Sequence, residues 1–355
     1  MPSGEIQLPS QLPSQIPSMA DLAEAAGVSL ATVDRVLNRR KGVKERTVAR
    51  VLAAAVELGY MSAEERAKLD GQRPPNVAFL LPMGTNPYLR LLGEKVRAVA
   101  DTQTRDASPL RCFFIDSFDA GALAAALRHH ARWADGIAFM AIDHPLVREA
   151  AEEVSAAGTR LVTIVSDLPH PARETYVGLD NQAAGRTAAL LLGRFCGARE
   201  GSVALVAGSR TYRAHAEREM GFLGLLEEAY PDLRIVGMRE GHDDRNENYN
   251  HTRSLLEQNP DLVGIYNVGG SSDGIARALA EKGMGERVVF IGHGLTQDTR
   301  RLLIEGTMDA VINSDPDQVI GETLARFARP AEAAGLRPPL KMDLIFRENI
   351  PSQYL

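Results

Sequence analysis

From residue 76 onward, short apolar runs alternate with amphipathic stretches of roughly 10–15 residues. The runs include NVAFLLP, LRCFFID, GIAFMAI and RLVTIVS, and a second series continues with YVGL, GSVALVAG and LVGIYNV. Apolar strands that alternate with helices are typical of parallel sheets covered by helices on both faces. About 280 residues exceed what one small doubly wound sheet requires, so the pattern predicts an α/β fold with two doubly wound parallel lobes.

The N-terminal part of the chain has short helical patterns and no strand pattern. Residues 1–17 are rich in Pro, Ser and Gln, which predicts a disordered tail. The following segment predicts helices over about 19–26, 30–38 and 44–58, with Ser18 and Ser29 as N-caps and Gly27 in a tight turn. Three short helices with inward-facing apolar residues and a sharp first turn form a helix-turn-helix head.

These patterns divide the chain into four parts. The predicted division is a tail at 1–17, a helix-turn-helix DNA-binding domain at 18–61, a hinge or linker at 62–74 and a ligand-sensing domain at 75–355. In the sensing domain, we expect lobe 1 to comprise about 75–180 and 315–341, and lobe 2 about 181–314 and 342–355.

Charge is distributed unevenly along the chain. The whole sequence has 40 Lys and Arg residues against 46 Asp and Glu residues, for a net charge of −6. In contrast, Glu45 is the one acidic residue among seven basic ones between Arg35 and Arg50. A basic face on an otherwise acidic protein favours contact with nucleic-acid phosphates. A solvated helical bundle with ordinary surface charge is the alternative.

The head resembles the DNA-binding domain of the lactose-repressor (LacI) family in the stretches DLAEAAGVSLATVDRVLN and VKERTVARVLAAAVELGY. The resemblance implies that the second helix reads the major groove. By position, Leu30, Ala31 and Arg35 would contact bases, and Arg35 could bond a guanine edge bidentately. The implied phosphate contacts are Ser29, Thr32, Asn38 and the basic cluster that includes Arg39.

Asp34 departs from that resemblance, because a serine is usual at its position. Its carboxylate would accept a hydrogen bond from a cytosine amine or pair with Arg35, and a solvent-facing Asp34–Arg35 pair without DNA is an equal alternative. The resemblance also implies a hinge helix whose leucine inserts into the minor groove. Leu69 in ERAKLDG is the candidate, although acidic residues surround it, and packing within the linker is the alternative.

Polar residues follow many of the predicted strands, where ligands of open α/β sheets bind. Residues 76–350 resemble ribose-type periplasmic sugar-binding proteins and the LacI-family sensor, in the motifs NPY, VGLDNQAAGR, EMGF and DPDQVIG. The ligand-contacting candidates at these positions are Asn86, Tyr88, Asp116, Ser166, Asp167, Arg213, Asn267, His293 and Ser314. For each of them, a strand-end or helix-cap role without a ligand is the alternative.

Two of these positions depart from the pattern that the resemblance implies. Ser166 and Asp167 stand where an Asp-Arg pair would clamp sugar hydroxyls, and Gly294 replaces an acid, so that His293 is expected to take over its role.

No catalytic motif is present: the sequence contains no P-loop, GxSxG, HExxH or CxxC pattern. We therefore expect no enzyme activity, catalytic residue, metal or cofactor. His129 and His130 are expected on the surface, and residues 242–244 (HDD) in a solvated loop. The two cysteines, Cys112 and Cys196, are expected to be buried free thiols, as in a reducing cytoplasm.

The N-terminus lacks the basic start and apolar core of a signal peptide, and no apolar run is long enough for a membrane span. The leading hypothesis is a cytoplasmic transcriptional regulator that acts as a repressor, the commoner mode in the family. It would bind a pseudo-palindromic operator in double-stranded DNA as a homodimer, with a small carbohydrate or sugar derivative in the cleft as effector. The alternatives are a solute-binding protein for transport and a sugar-acting α/β enzyme, each with an accessory head; only the enzyme would turn its ligand over.

Overall fold

The computed structural model describes residues 17–38, 40, 42–62, 65–66, 75–102, 109–329 and 338–352, without the side chains of residues 45 and 46. The chain divides into two compact units, Met1–Pro74 and Pro75–Leu355. Most of the predicted tail and hinge lies outside the described residues.

The first unit is a bundle of three helices. They are α1 (Met19–Ala25), α2 (Leu30–Leu37) and α3 (Glu45–Glu57). The predicted cap of α1 is confirmed, since Ser18 and Asp21 form a reciprocal capping box. Gly27 has φ +59°, a left-handed conformation that permits the tight turn before α2. A small core of fully buried side chains, including Leu22, Val33 and Leu52, holds the helices together.

The second unit contains two α/β lobes, and the first lobe has a five-stranded parallel sheet in the order β2-β1-β3-β4-β5. Its strands are β1 (Val77–Met83), β2 (Leu110–Asp116), β3 (Gly136–Phe139), β4 (Arg160–Ile164) and β5 (Thr175–Val177). The helices that follow the first three strands are α4 (Pro87–Thr102), α5 (Ala120–His130) and α6 (Pro145–Ala156).

The second lobe has a six-stranded sheet in the order β11-β10-β9-β8-β6-β7. Its strands are β6 (Gly201–Ala207), β7 (Leu233–Glu240), β8 (Leu262–Asn267), β9 (Val289–His293), β10 (Ala310–Asn313) and β11 (Asp343–Ile345). Its helices are α7 (Asn181–Cys196), α8 (Arg213–Ala229), α9 (Arg245–Gln258), α10 (Ser272–Glu281) and α11 (Gln297–Glu305).

The chain passes between the lobes several times. Helix α12 (Pro316–Phe327) follows β10 of the second sheet but packs on the first, where Val319 and Phe327 join the core around Phe79. The chain then returns to the second sheet as β11. The predicted fold class is confirmed, with an N-terminal helix-turn-helix head and two lobes of largely parallel sheet.

One strand corrects the sequence-based expectation of parallel pairing throughout. Strand β11 pairs antiparallel with β10 at the edge of the second sheet. It has three residues and no helix of its own, so it lacks the apolar run and following helix by which the other strands were found. Edge strands that join a parallel sheet in the antiparallel direction are common.

His130 is a second correction, because it is buried and not on the surface. It lies on the inner face of α5, where its Nδ1 accepts a hydrogen bond of 3.1 Å from the indole of Trp133. Burial lowers the pKa of His130. This histidine is therefore a core residue of the first lobe, while its neighbour His129 is exposed as expected.

Candidate functional site

Helix α2 presents the predicted base-contacting residues on the surface of the head. Val33 and Val36 are buried in the bundle, so the opposite face of the helix is free. On that face Leu30 is 53% exposed, although large apolar residues are usually covered, and Ala31 and Arg35 are exposed as well. Since Ala31 and Arg35 are four residues apart, they lie on the same side of the helix.

The predicted phosphate-contacting hydroxyls form the N-cap of α2. The Ser29 Oγ accepts a hydrogen bond of 3.3 Å from the backbone N–H of Thr32, and the two side-chain hydroxyls are 2.9 Å apart. The cap fixes the start of the helix, where free N–H groups and the helix dipole favour an anion.

Asp34 does not pair with Arg35, contrary to one alternative from the sequence. Its Oδ1 accepts a hydrogen bond of 2.8 Å from Asn38, and its Oδ2 lies 3.1 Å from Arg40. Consecutive residues of a helix point in directions about 100° apart, whereas residues four apart share a face. Asp34 therefore turns toward Asn38 and leaves the Arg35 guanidinium exposed. Arg39 and Leu69 lie outside the described residues.

A cavity lies between the two lobes at the carboxyl ends of their strands. It is lined by Asn86, Tyr88, Leu89, Met140, Val165, Leu179, His215, Arg218, Gly269, Gly270, His293, Gly294, Ile312 and Ser314. Four of the nine predicted ligand-contacting residues are in this set, namely Asn86, Tyr88, His293 and Ser314. Gly294, where an acid was expected, has φ +75°, and a Cβ there would come within 3.1 Å of Tyr88. The absence of a side chain at 294 thus lets Tyr88 lie close to the backbone.

Three predicted residues of the first lobe do not line this cavity. Asp116 is exposed at the end of β2, in a separate hollow. Ser166 is fully buried, and its Oγ lies 3.4 Å from the backbone nitrogen of Ala214. Asp167 accepts hydrogen bonds from Thr163 and pairs with Arg173 at 2.8 Å, so its carboxylate is satisfied within its own loop.

Two predicted residues of the second lobe are also absent from the lining. Arg213, at the first position of α8, is partly exposed and pairs with Glu217 at 2.6 Å. Asn267 is fully buried, and its amide donates to the backbone oxygen of Gly270 and to Ser272, each at 2.9 Å. Asn267 thus shapes the Gly269–Gly270 turn that lines the cavity.

Sequence reasoning missed two ionisable residues in the cavity wall, His215 and Arg218. Both lie on the buried face of α8, on which Ala214, Phe222 and Leu226 are the apolar members. The pattern that could have found them is helical spacing: a histidine and an arginine fall on an apolar stripe, where such side chains need polar partners.

Neutral groups hold Arg218 in place. Its Nε donates to Asn181 Oδ1 at 2.8 Å, and its Nη1 donates to the backbone oxygen of Val268 at 2.9 Å. Asn181 in turn donates to the hydroxyl of Tyr176 at 3.0 Å. The neighbouring Asp180 accepts a hydrogen bond from the backbone N–H of Ala183 and so caps α7. The guanidinium is thereby held directly by Asn181 and Val268 of the second lobe, and Asn181 is itself positioned by Tyr176 on β5 of the first sheet.

Both cavity histidines favour the neutral form. Burial lowers the pKa of His293 well below its usual value, and the positive charge of Arg218 lowers it further. Burial also lowers the pKa of His215, against the opposing effect of the Asp243 carboxylate. The His293 Nε2 lies 2.7 Å from the hydroxyl of Tyr266, and the His215 Nδ1 lies 2.8 Å from the backbone oxygen of Ser209.

Asp243 joins the lobes, which corrects its expected place in a solvated loop. It is 6% exposed, because its carboxylate accepts from the backbone N–H of Gly270 at 2.6 Å and from the amide of Asn86 at 2.9 Å. Its backbone oxygen accepts from the hydroxyl of Thr85 at 2.6 Å. Thr85 and Asn86 belong to the first lobe, so the two lobes meet directly across the mouth of the cleft.

Residues 77–330 match the periplasmic binding protein domain family, and residues 18–62 match the lacI family of bacterial regulatory proteins. The chain belongs to the periplasmic binding protein domain family and carries a lacI-family head. Both resemblances stated from the sequence are thus confirmed. Within the described residues, no helix has the length and apolar character needed to cross a membrane.

Individual relatives match parts of this chain. Catabolite control protein A of Streptococcus mutans is 28% identical over 222 residues, which are 62% of this chain and 59% of that protein. The ribose operon repressor of Bacillus subtilis is 42% identical over 71 residues, or 20% of this chain and 22% of that protein. The chain therefore spans less than two thirds of these relatives. These relatives are named as regulators and not as enzymes.

The fold of the sensing unit recurs among solute-binding proteins. A solute-binding protein of an ABC transporter from Burkholderia graminis, solved with D-arabinose, has a TM-score of 0.71 at 19% identity, covering 78% of this chain and 97% of that chain. At this identity the likeness establishes the fold of the two lobes.

Proposed function

We propose that this protein is a ligand-responsive transcriptional regulator that binds operator DNA, with repression as its mode. The observation that carries the proposal is the exposed face of α2, on which Leu30, Ala31 and Arg35 point outward. The same chain also has a cleft between two lobes. An arginine on such a face is the side chain best suited to a guanine edge, and exposed Leu30 suits thymine methyl groups.

The predicted DNA contacts keep the same roles in this proposal. Leu30, Ala31 and Arg35 read bases, while Ser29, Thr32, Asn38 and the basic cluster with Arg39 hold phosphates. Asp34 positions Asn38 and Arg40, and Leu69 is the hinge candidate. One head covers one half-site, so a pseudo-palindromic operator requires a homodimer. We propose that this dimer acts in the cytoplasm.

The lobe contacts at Asp243 supply the means of response. A carbohydrate or sugar derivative that contacts both lobes favours the closed arrangement in which Thr85 and Asn86 bond Asp243. By linkage, a ligand that changes DNA affinity must have its own affinity changed by DNA to the same degree. The ribose operon repressors among the relatives support a sugar as effector. The cleft has no role in turnover in this proposal.

The test begins with selection of bound sequences from a random duplex pool by the full-length protein. Enrichment of an inverted repeat is expected. Arg35→Ala should weaken binding to the enriched site by about 1–3 kcal/mol, the range for one bidentate base contact, and leave random DNA binding nearly unchanged. Arg50→Ala, an exposed change on α3, should weaken binding to both DNAs by a similar factor, as expected for a phosphate contact.

Two outcomes would count against this proposal. If no sequence is enriched, the head does not read an operator. If Arg35→Ala binds the enriched site as the wild type does, α2 is not the recognition helix.

A further inference from the structure

The wall of the interlobe cavity carries positive but no negative side-chain charge. Among the lining residues that the structure describes, Arg218 is cationic, while no Asp or Glu contributes. A cleft designed for neutral sugars can use carboxylates, because each accepts hydrogen bonds from two hydroxyl groups. In this cleft, the acceptors for the hydroxyl protons of a ligand have to be uncharged groups.

Arg218 is buried, and no acidic side chain of the described residues forms an ion pair with it. It is 8% exposed, and its hydrogen bonds go to an amide oxygen and a backbone oxygen. A buried cation that lacks an anionic partner is destabilising unless another group compensates for the lost water. Because Nε and Nη1 are used in these bonds, Nη2 is left for a group in the cavity.

The neighbouring carboxylates are committed to other partners. Glu217 pairs with Arg213, and Asp167 pairs with Arg173. Asp243 acts on the neighbouring His215, but its two oxygens accept from the Gly270 N–H and from Asn86. None of the three forms an ion pair with Arg218 in the part of the chain that the structure describes.

The rest of the wall suits hydroxyl groups. The Ser314 Oγ is buried and has no hydrogen-bond partner among the described residues, so its capacity is unused until a ligand arrives. Asn86 and the turn at Gly269–Gly270 also line the cavity. The Asn86 amide nitrogen donates to Asp243 through one of its two protons, which leaves the other for a ligand. Tyr88 offers a ring against which the apolar face of a sugar can pack.

We propose that the cleft binds a small polyhydroxy acid, in which a carboxylate or phosphate group pairs with Arg218 and the hydroxyl groups meet Ser314, Asn86 and the two histidines of the cavity wall. This inference rests on the proposed function, since it names the chemical class of its effector. Charge pairing with a desolvated guanidinium gives shorter and stronger hydrogen bonds than a neutral hydroxyl can.

Calorimetric titration of the full-length protein with matched acid and neutral compounds tests the inference. The pairs are D-ribonate with D-ribose and D-gluconate with D-glucose; ribose 5-phosphate and glucose 6-phosphate distinguish a phosphate from a carboxylate. At least one acid should bind roughly tenfold to a hundredfold more tightly than its neutral parent, as expected for a charge-assisted hydrogen bond. Inorganic phosphate and acetate control for anion binding without hydroxyl recognition.

Two variants on one helix separate the role of Arg218 from general charge. Arg218→Gln should reduce acid binding by about tenfold or more, while binding of any neutral sugar changes little. Arg213→Gln, a partly exposed change five residues earlier on α8, should leave acid binding unchanged. Circular dichroism of Arg218→Gln checks that the second lobe remains folded. If the variant is unfolded, the comparison between the acid and its neutral parent in the wild type decides the inference.

The outcomes for this inference and for the proposed function are distinct. Neutral parents that bind as tightly as the acids, or an absence of acid binding, overturn the inference whether or not the protein binds an operator. An acid that binds through Arg218 but does not change operator affinity supports the inference and removes the compound from the regulatory proposal. Loss of operator binding by Arg35→Ala concerns the head and leaves the cleft result unaffected.

Discussion

Asp243→Asn is expected to weaken the contact between the lobes. The carboxylate of Asp243 accepts from two donors, Gly270 N–H and Asn86 Nδ2. An asparagine side chain has one oxygen, so its amide nitrogen must face one of these donors. Because the backbone N–H of Gly270 is fixed within the second lobe, the oxygen is expected to stay there, and the bond across the cleft to Asn86 is lost.

The size of the effect follows from the kind of bond. A hydrogen bond to a charged acceptor contributes about 1.5–3 kcal/mol. Removing the charge also relieves the desolvation of a side chain that is 6% exposed, which offsets part of the loss. We expect a net loss of about 1–2 kcal/mol in the free energy of closure, or roughly 5-fold to 30-fold in the ratio of closed to open molecules.

Two measurements on the ligand-free protein check this expectation. The radius of gyration from small-angle X-ray scattering should increase, and the melting temperature should fall by about 2–4 °C for a unit of this size. Asp244→Asn is the matched control: Asp244 caps α9 through the backbone N–H groups of Asn246 and Glu247, and asparagine caps a helix equally well. If Asp243→Asn resembles both the wild type and this control in the two measurements, the role of Asp243 in closure is refuted.

Three further predictions concern packing and protonation. Gly221→Ala should destabilise the protein by about 1–3 kcal/mol in chemical denaturation, because a Cβ would overlap the backbone oxygen of Gln182 on α7, whereas Gly224→Ala on the same helix meets no atom within 4 Å and should be neutral or stabilising. Burial raises the pKa of the Cys112 thiol to about 11, so native protein should react with a thiol reagent at pH 8 far more slowly than unfolded protein. The contribution of this protonated thiol to the free energy of unfolding is complete below the ordinary pKa of 9.0 and is lost as the pH rises toward 11. The pKa of His293 is lowered, so the stabilisation by the neutral imidazole is present above the ordinary pKa of 6.5 and is lost as the pH falls below that value. The melting temperature of His293→Gln should therefore decline less on acidification than that of the wild type.

The fold could be predicted from local patterns because most of its elements carry strong ones. The strands of both sheets are continuous apolar runs, as in β1 and β6, where the burial of nearly every residue follows from helices on both faces of the sheet. Strand β11 shows the limit of this reasoning. It has three residues and follows no helix, so its place in the sheet depends on the partner strand β10 and not on its own sequence.

The site was less predictable, because strand-end position does not determine which way a side chain turns. Asp167 and Arg213 lie where the pattern placed them along the chain, but Arg173 and Glu217 draw their charges away from the cavity. Asn267 is similar, since it satisfies the backbone of its own turn. In each case a polar partner a few residues away determines the role of the side chain, and the position of the residue after its strand does not reveal that partner.

Arg218 is the opposite case, because it lines the cavity although the sequence analysis did not predict it. Its position four residues before Phe222 places it on the inner face of α8. A buried guanidinium that has no anionic partner destabilises the folded protein. The departures noted from the sequence act in the same direction. Glycine stands at 294, where the family resemblance implies an acid, and Asp167 is held by Arg173, so neither position supplies a carboxylate to the cavity wall. A neutral ligand would leave that charge uncompensated, whereas an acidic one would bring the counter-charge with it and would favour closure over the cation.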